Sequence, residues 1–211
     1  MINIDELKTL LKNRLNEKRY YHSLCVADAA KELADIYGED TEKAYFSGLI
    51  HDIMRNATQD EMNDYIKKYS IELDDVTKNS MVLWHAVLGA DYIYRILGVE
   101  DLDIINAVRY HTTSRAGSSL LEKIIFLADC SSADRNYWNV DDIRKIIRTD
   151  INKAMYEVLD FTVNDLKNKG LLGADIAKMS DAEFNAYAEL SAKMDGLTAT
   201  YQDKGDMAKA F

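Results

Sequence analysis

Proline is absent from the chain's 211 residues. Proline lacks a backbone N–H and clashes with the preceding helical turn, so its absence fits a mostly helical chain. Cysteine is scarce, with only Cys25 and Cys130. Two thiols build no disulfide framework, and with no secretory leader they point to a reducing, cytoplasmic compartment. No apolar run approaches the roughly 20 residues that span a bilayer, so no membrane contact is expected. Positive charge is in deficit: 26 Lys and Arg face 36 Asp and Glu, a formal net charge of −10. That balance argues against a nucleic-acid partner, whose binders carry a basic surface. A small anionic ligand stays open, because a local group of arginines can oppose the global field.

What is present is helical periodicity with repeated N-terminal capping patterns. Hydrophobic residues make up 47% of the chain, enough to fill one core. Asn3 with Glu6 opens a first helix, and a second runs from about Lys18 to Tyr37 and stops at Gly38. Asp40 begins a third that carries "GLIHDIMR", residues 48 to 55. Thr58 with Glu61 caps a fourth, and a long helix is expected from Asp75 to Leu97, ending on Gly98. Asp101 starts the helix that reaches "AVRYH". Ser119 with Glu122 caps "LLEKIIFLADC", Asn139 with Asp142 caps another, and Asp150 to Lys169 ends at Gly170. Ser180 with Glu183 caps the last. No alternating strand pattern, internal repeat or Gly/Ser/Pro linker interrupts them. The expected architecture is an all-α bundle forming one domain over residues 1–195, followed by a tail over 196–211.

Only four histidines occur: His22, His51, His85 and His111. Taken singly, each is more often a hydrogen-bonded core residue than a ligand, and one His-Asp dipeptide is weak evidence. The set says more. Each histidine lies beside a segment that also holds an arginine, namely Arg19, Arg55, Arg109 or Arg115. Asp129 closes the apolar run "IIFLAD", where a carboxylate is costly to bury without a cation or strong donors, and Arg135 follows it. Imidazoles and carboxylates together suit a first-row transition metal such as iron, manganese or zinc. No Walker-type phosphate loop and no Gly-x-Ser-x-Gly elbow is present.

The segments "EKRYYHSLCVADAA", "GLIHDIMR", "LWHAVLGA", "RYHTT", "LLEKIIFLAD" and "VDDIRKI" resemble, in that order and spacing, the YqeK family of HD-domain phosphohydrolases. That family is similar to bacterial symmetrical diadenosine tetraphosphate hydrolases, and the likeness covers about residues 5 to 175. It implies an HD-domain helical bundle. It further implies that His22, His51, Asp52 and Asp129 hold the primary metal, expected to be iron, with Mn, Co, Zn or Mg as alternatives. Asp52 would bridge to a second ion, with His85 and His111 on that side or on the substrate phosphates. Asp52, His85 and His111 are thus the candidates for the catalytic step. Arg19, Arg55, Thr112, Arg115 and Arg135, with His85 and His111, match positions that would surround the nucleotide. The chain departs from the family pattern in several places. Arg55 stands for lysine, Val87 for proline, Ser114 for glycine and Ser132-Ala133 for a Glu-Pro pair. "LLGAD", residues 171 to 175, stands for an Ile-Tyr-Pro-x-Thr segment.

The expected activity is symmetrical hydrolysis of diadenosine tetraphosphate into two ADP, the expected partner being a dinucleoside polyphosphate or other nucleotide. The alternative is an HD-domain phosphohydrolase acting on a nucleoside monophosphate, a deoxynucleotide or an alarmone, since fold does not decide substrate. A non-catalytic nucleotide or metal sensor ranks third, because such modules tend to lose ligands and none of the six is missing. A homodimer is left open. His51 and Asp52, adjacent on a helix, would point about 100° apart. Both would then reach one ion only in a crevice closed by His22 and Asp129.

Overall fold

Capping chemistry written in the sequence sets most of the helix starts. The computed structural model describes residues 3–168, and among them the fold is all-α, with ten α-helices, a short 3-10 turn and no strand. Helix α1 (Ile4–Arg14) opens with the Asn3/Glu6 capping box. The same reciprocal bond pair starts α4 (Gln59–Tyr69) at Thr58/Glu61 and α8 (Leu120–Ser131) at Ser119/Glu122. In each, two orphan amides of the first turn are satisfied locally. Helix α2 (Glu17–Tyr37) stops on Gly38, whose φ of +74° is the left-handed conformation that ends helices. Asp40 caps α3 (Thr41–Ile50), and Asp101 caps α7 (Leu102–Tyr110).

Two failed expectations shape the site. Helix α3 ends at Ile50, so "HDIMR" is a run of tight turns rather than helix. The amide of Ile53 bonds the Ile50 carbonyl at 3.0 Å, and that of Arg55 bonds the Asp52 carbonyl at 2.8 Å. Arg14 clamps this turn from α1. Its Nε donates to the Ile53 carbonyl at 3.3 Å while its guanidinium lies 4.4 Å from the centre of the Tyr92 ring. The long helix expected from Asp75 to Leu97 is broken into α5 (Asp75–Asn79), the 3-10 turn Met81–Leu83 and α6 (Trp84–Arg95). The break at Ser80 opens carbonyls to side chains. Thr77 O takes the Trp84 indole N–H at 2.8 Å, and Val82 O faces His85 Nδ1 at 2.8 Å.

The chain divides into two compact units, one made of Met1–Ser114 with Ser119–Trp138 and the other of Arg115–Ser118 with Asn139 onward. The first is built around α8, whose residues Leu121 to Ala128 are all buried. A helix apolar nearly all round must be enclosed, and α2, α3 and α7 pack against it. Helix α6 lies on α7, and α4 on α6. In the second unit α9 (Val140–Ile147) packs on α10 (Ile151–Asn168). Asn139 precedes α9 but gives it no side-chain cap, and its Oδ1 is buried without a partner. Asp150 does cap α10, accepting from the Lys153 amide at 2.9 Å. Gly170, the Ser180/Glu183 cap, "LLGAD" and the boundary expected near residue 195 lie outside the described residues.

Helices α2 and α3 meet at Gly48, the residue beneath the His51 turn. A Cβ there would sit 2.7 Å from Ala27 Cα and 3.0 Å from Ala27 N, both backbone atoms that cannot swing aside. Gly48→Ala is therefore expected to lower stability by about 1–3 kcal/mol, the range for overpacking a tight contact. Urea denaturation read by circular dichroism measures it, and an unchanged midpoint would show that the two helices separate freely.

Candidate metal centre and phosphate cleft

Four imidazoles arrive at one place from four elements. His22 projects from the middle of α2, His51 and His111 cap the C-terminal ends of α3 and α7, and His85 sits in the first turn of α6. All four are buried, as is Asp52. Their rings form a chain with centroid separations of 5.4 Å (His22–His51), 5.0 Å (His51–His111) and 5.1 Å (His85–His111). Asp129, near the end of α8, closes the His22 side, where its Oδ1 lies 2.9 Å from His22 Nε2. Asp52 closes the other side. Its Oδ1 lies 3.2 Å from His85 Nε2 and 3.6 Å from His111 Nε2, and its Oδ2 lies 3.3 Å from His51 Nε2.

The Nδ1 atoms explain this convergence. His51, His85 and His111 each direct Nδ1 at the carbonyl three residues earlier, Gly48 at 2.7 Å, Val82 at 2.8 Å and Val108 at 2.7 Å. A carbonyl only accepts, so the Nδ1 atoms of His51 and His111 carry the proton and their Nε2 atoms present lone pairs inward. His22 Nδ1 faces Asp134 Oδ2 at 2.8 Å, with the same result. At His85 the Val82 carbonyl shares Nδ1 with the donor Arg55 Nη1, at 3.1 Å. Lone pairs of imidazoles and carboxylates thus crowd together, and His51 Nε2, fully buried, has no hydrogen-bond partner. It lies near Asp52 Oδ2, but without the geometry of a hydrogen bond. An orphaned acceptor in such a place is what a cation satisfies.

Two groups among the described residues bring their donor atoms within 4.8 Å of one another: His22, His51 and Asp129, and His51, Asp52 and His111. They share His51. Burial pushes the Asp52 carboxyl up, but the His51 imidazole beside it, with those of His111 and His85, outweighs that and holds it well below the usual carboxylate range. For Asp129 burial is again the upward push, overturned by His22, His51, Arg135 and His111. Both carboxyls are anionic at neutral pH. Burial lowers the pKa of His85, opposed by Asp52, which keeps its ring in the neutral, ligating form. The donor set fits a transition metal of the iron, manganese, cobalt or zinc type.

A cleft of about 390 Å³ opens against His22 and is lined by Lys18, Arg19, Arg55 and Arg135, with Asn16, Asn56 and Asp134. Arg19 Nη1 donates to Asp52 Oδ2 at 2.7 Å, and Arg135 bonds both the Asp129 carbonyl, at 2.7 Å through Nε, and its carboxylate. Arg55 Nη1 reaches the Val82 carbonyl at 3.3 Å, beside His85 Nδ1 at 3.1 Å. Three of the five arginine and threonine positions expected around a nucleotide therefore line one cleft. Thr112 lies elsewhere, in a separate cavity of about 250 Å³ with Arg109 and Tyr110. Arg115 falls in the Arg115–Ser118 stretch of the second unit. The sequence reading missed Asp134, Lys18, Asn16 and Asn56. Only the carboxylate beside Arg135 in "ADCSSADR" hinted at the first.

A family model described as HD domain matches residues 19–134, which takes in His22, the His51-Asp52 pair, Asp129 and every residue of the cleft but Asn16, Lys18 and Arg135. The chain is 36% identical over 168 residues to the symmetrical bis(5'-nucleosyl)-tetraphosphatase of Bacillus subtilis (strain 168), spanning 80% of this chain and 90% of the relative. It is 38% identical over 160 residues to the enzyme of the same name from Halalkalibacterium halodurans, spanning 76% and 85%. A crystal structure from Clostridium acetobutylicum, described as a "predicted HD superfamily hydrolase involved in NAD metabolism", superposes with a TM-score of 0.80 at 35% identity. That match covers 92% of this chain and 99% of the other. With a matching domain, relatives alike along nearly their whole length and a histidine-aspartate cluster at the expected positions, the chain belongs to the HD-domain family of symmetrical bis(5'-nucleosyl)-tetraphosphatases.

Proposed function

We propose that the protein is a metal-dependent hydrolase that cleaves diadenosine tetraphosphate symmetrically into two ADP. The observation that carries the proposal is the cleft in which Arg19, Arg55 and Arg135 stand over the histidine–aspartate cluster, on a chain of net charge −10. Guanidinium forks match phosphate oxygens, and here they sit beside the only buried site with ligands for a transition metal among the described residues. The names of the relatives support the tetraphosphate as substrate.

His22, His51, Asp52 and Asp129 would hold the primary ion, which we take to be iron, with His85 and His111 serving a second ion or the substrate phosphates. Bound there, a transition metal lowers the pKa of a water molecule and polarises a phosphoryl oxygen. Hydrolysis adds the water oxygen to one central phosphorus and breaks its bridge to the other. The departing ADP takes up a proton, and each product keeps two phosphates. Arg19, Arg55 and Arg135 bind the phosphate chain and offset the charge that builds on its oxygens. Arg19 and Arg135 also keep Asp52 and Asp129 in place, so the same cations serve the substrate and the cluster. Thr112 and Arg115 are assigned to the nucleotide on the family resemblance alone. The setting we propose is the cytoplasm, in keeping with two unpaired thiols at Cys25 and Cys130. No described helix is long and apolar enough to cross a membrane.

Chromatography of early time points with diadenosine tetraphosphate is expected to show ADP as the first and only nucleotide product. Equal ATP and AMP would mean that the chain is cut one phosphate off centre. Rapid turnover of a mononucleotide with no cleavage of the tetraphosphate would transfer the activity to that substrate.

Variants separate metal binding from phosphate binding. Asp52→Ala and Asp129→Ala are expected to emerge from gentle purification without iron, manganese, cobalt or zinc, whereas Arg55→Ala keeps its metal. Losing a charge-assisted bond of about 1.5–3 kcal/mol raises KM in the Arg55 variant roughly tenfold to a hundredfold. Elemental analysis and steady-state kinetics decide it, and an Arg55→Ala enzyme with both constants unchanged would remove that residue from the phosphate grip.

A further inference from the structure

Three of the four histidines are oriented by their own helix ends. The last carbonyls of a helix have no intrahelical partner, which leaves Gly48 O for His51 and Val108 O for His111. For His85 the carbonyl is that of Val82, in the 3-10 turn before α6, which Arg55 Nη1 also reaches at 3.3 Å. His22 has no such neighbour. It is the sixth residue of a 21-residue helix, where the preceding carbonyls are spent on helix bonds. Its Nδ1 is met instead by a carboxylate from 112 positions along the chain, Asp134 Oδ2 at 2.8 Å. That carboxylate is itself tethered, since the buried Ser132 hydroxyl donates to Asp134 Oδ1 at 2.7 Å.

Resting on the metal-centre reading above, we infer that Asp134 is the positioning residue of the site: it fixes the Nδ1–H tautomer and the angle of His22, and Ser132 fixes Asp134. A ligating imidazole that donates its second N–H to a carboxylate becomes a better donor at the other nitrogen, and loss of such a partner weakens metal binding about 10–100-fold. Asp134 has a second, opposite effect. It lines the cleft alongside Lys18, Arg19, Arg55 and Arg135, so its negative charge faces the place where phosphates are to bind. The residue strengthens the hold on the metal and weakens the hold on the substrate. A group with a merely structural role would move both in the same direction.

The test is a titration of metal-stripped full-length protein with Co2+, followed by visible absorbance and checked by equilibrium dialysis. Asp134→Ala is expected to weaken Co2+ binding about 10–100-fold, and Ser132→Ala to fall between it and the wild type. Asp134→Asn preserves shape and an accepting oxygen but removes the charge. It is expected to lose metal affinity less than Asp134→Ala and, at saturating metal, to show a lower KM for diadenosine tetraphosphate than the wild type. Thermal melts read by circular dichroism identify any variant that fails to fold, in which case Asp134→Asn carries the comparison. Wild-type Co2+ affinity retained in both Asp134 variants would overturn the inference while leaving the metal centre intact. A wild-type protein that binds no Co2+ would overturn the metal centre itself, and the inference with it.

Discussion

One buried and one half-buried carboxylate must share a small volume with four buried imidazoles, and the fold is arranged around making that tolerable. Isolated anions are costly to remove from water, and removing one partner from such a set leaves the others uncompensated. Asp52 is enclosed by His51, His85 and His111 and by Arg19, and Asp129 by His22 and Arg135. The contacts come from α2, α6, the ends of α3 and α7 and the segment after α8, so the cluster forms only when α2, α3, α6, α7 and α8 have all packed. The apolar surround supplied by α8 shields much of the cluster from solvent. It also makes every misplaced proton or lone pair expensive, so the chain has to specify each one.

The way it does so is economical in backbone terms. Helix ends leave carbonyls without partners, and three of the histidines sit where such a carbonyl is in reach. The termination of α3 at Ile50 and the break before α6 therefore orient ligands as well as changing the direction of the chain. Gly48 serves twice. Its missing side chain lets α3 approach Ala27 closely, and its carbonyl holds His51 Nδ1 at 2.7 Å. Displacing that glycine would loosen the helix contact and the ligand together.

Much of this was legible in the sequence, though unevenly. Three capping boxes, the Gly38 stop and the Asp101 cap depend on residues at most a few positions apart, and the structure places them as the pattern predicts. The His/Asp set was legible as an ordered group of residue types, and it does come together. The turn at His51 was not legible, because nothing in "LIHDIM" opposes helix locally. The turn is held by Arg14 from α1 and by Asn56, which accepts from the Asn16 amide at 2.9 Å. Nor was the break at Ser80, since no proline or glycine stands near to mark it and apolar residues resume at Met81. Thr112, although next to His111, faces another cavity, since adjacent residues at a helix end point in different directions. Ser114 shows a departure from the family pattern realised as strain. It stands where glycine is usual and adopts φ of +55°, a left-handed conformation costing a residue with a Cβ about 1–2 kcal/mol.

Charge is distributed on two scales, and the difference between them bears on how a polyanion reaches the site. Over the whole chain, negative charge repels phosphate, and at ordinary ionic strength that repulsion fades over roughly 10 Å. Within the cleft four cations stand within a volume of about 390 Å³, so a ligand that enters meets a field of the opposite sign. Arg19 and Arg135 are also the partners of Asp52 and Asp129, so part of that positive field is already committed to the cluster. Arg55 is differently placed. It contacts a carbonyl and an imidazole, and neither neutralises a guanidinium. Of the three arginines it therefore keeps the most charge for the ligand, and the ligand that best matches all three is one whose several phosphates engage them at once.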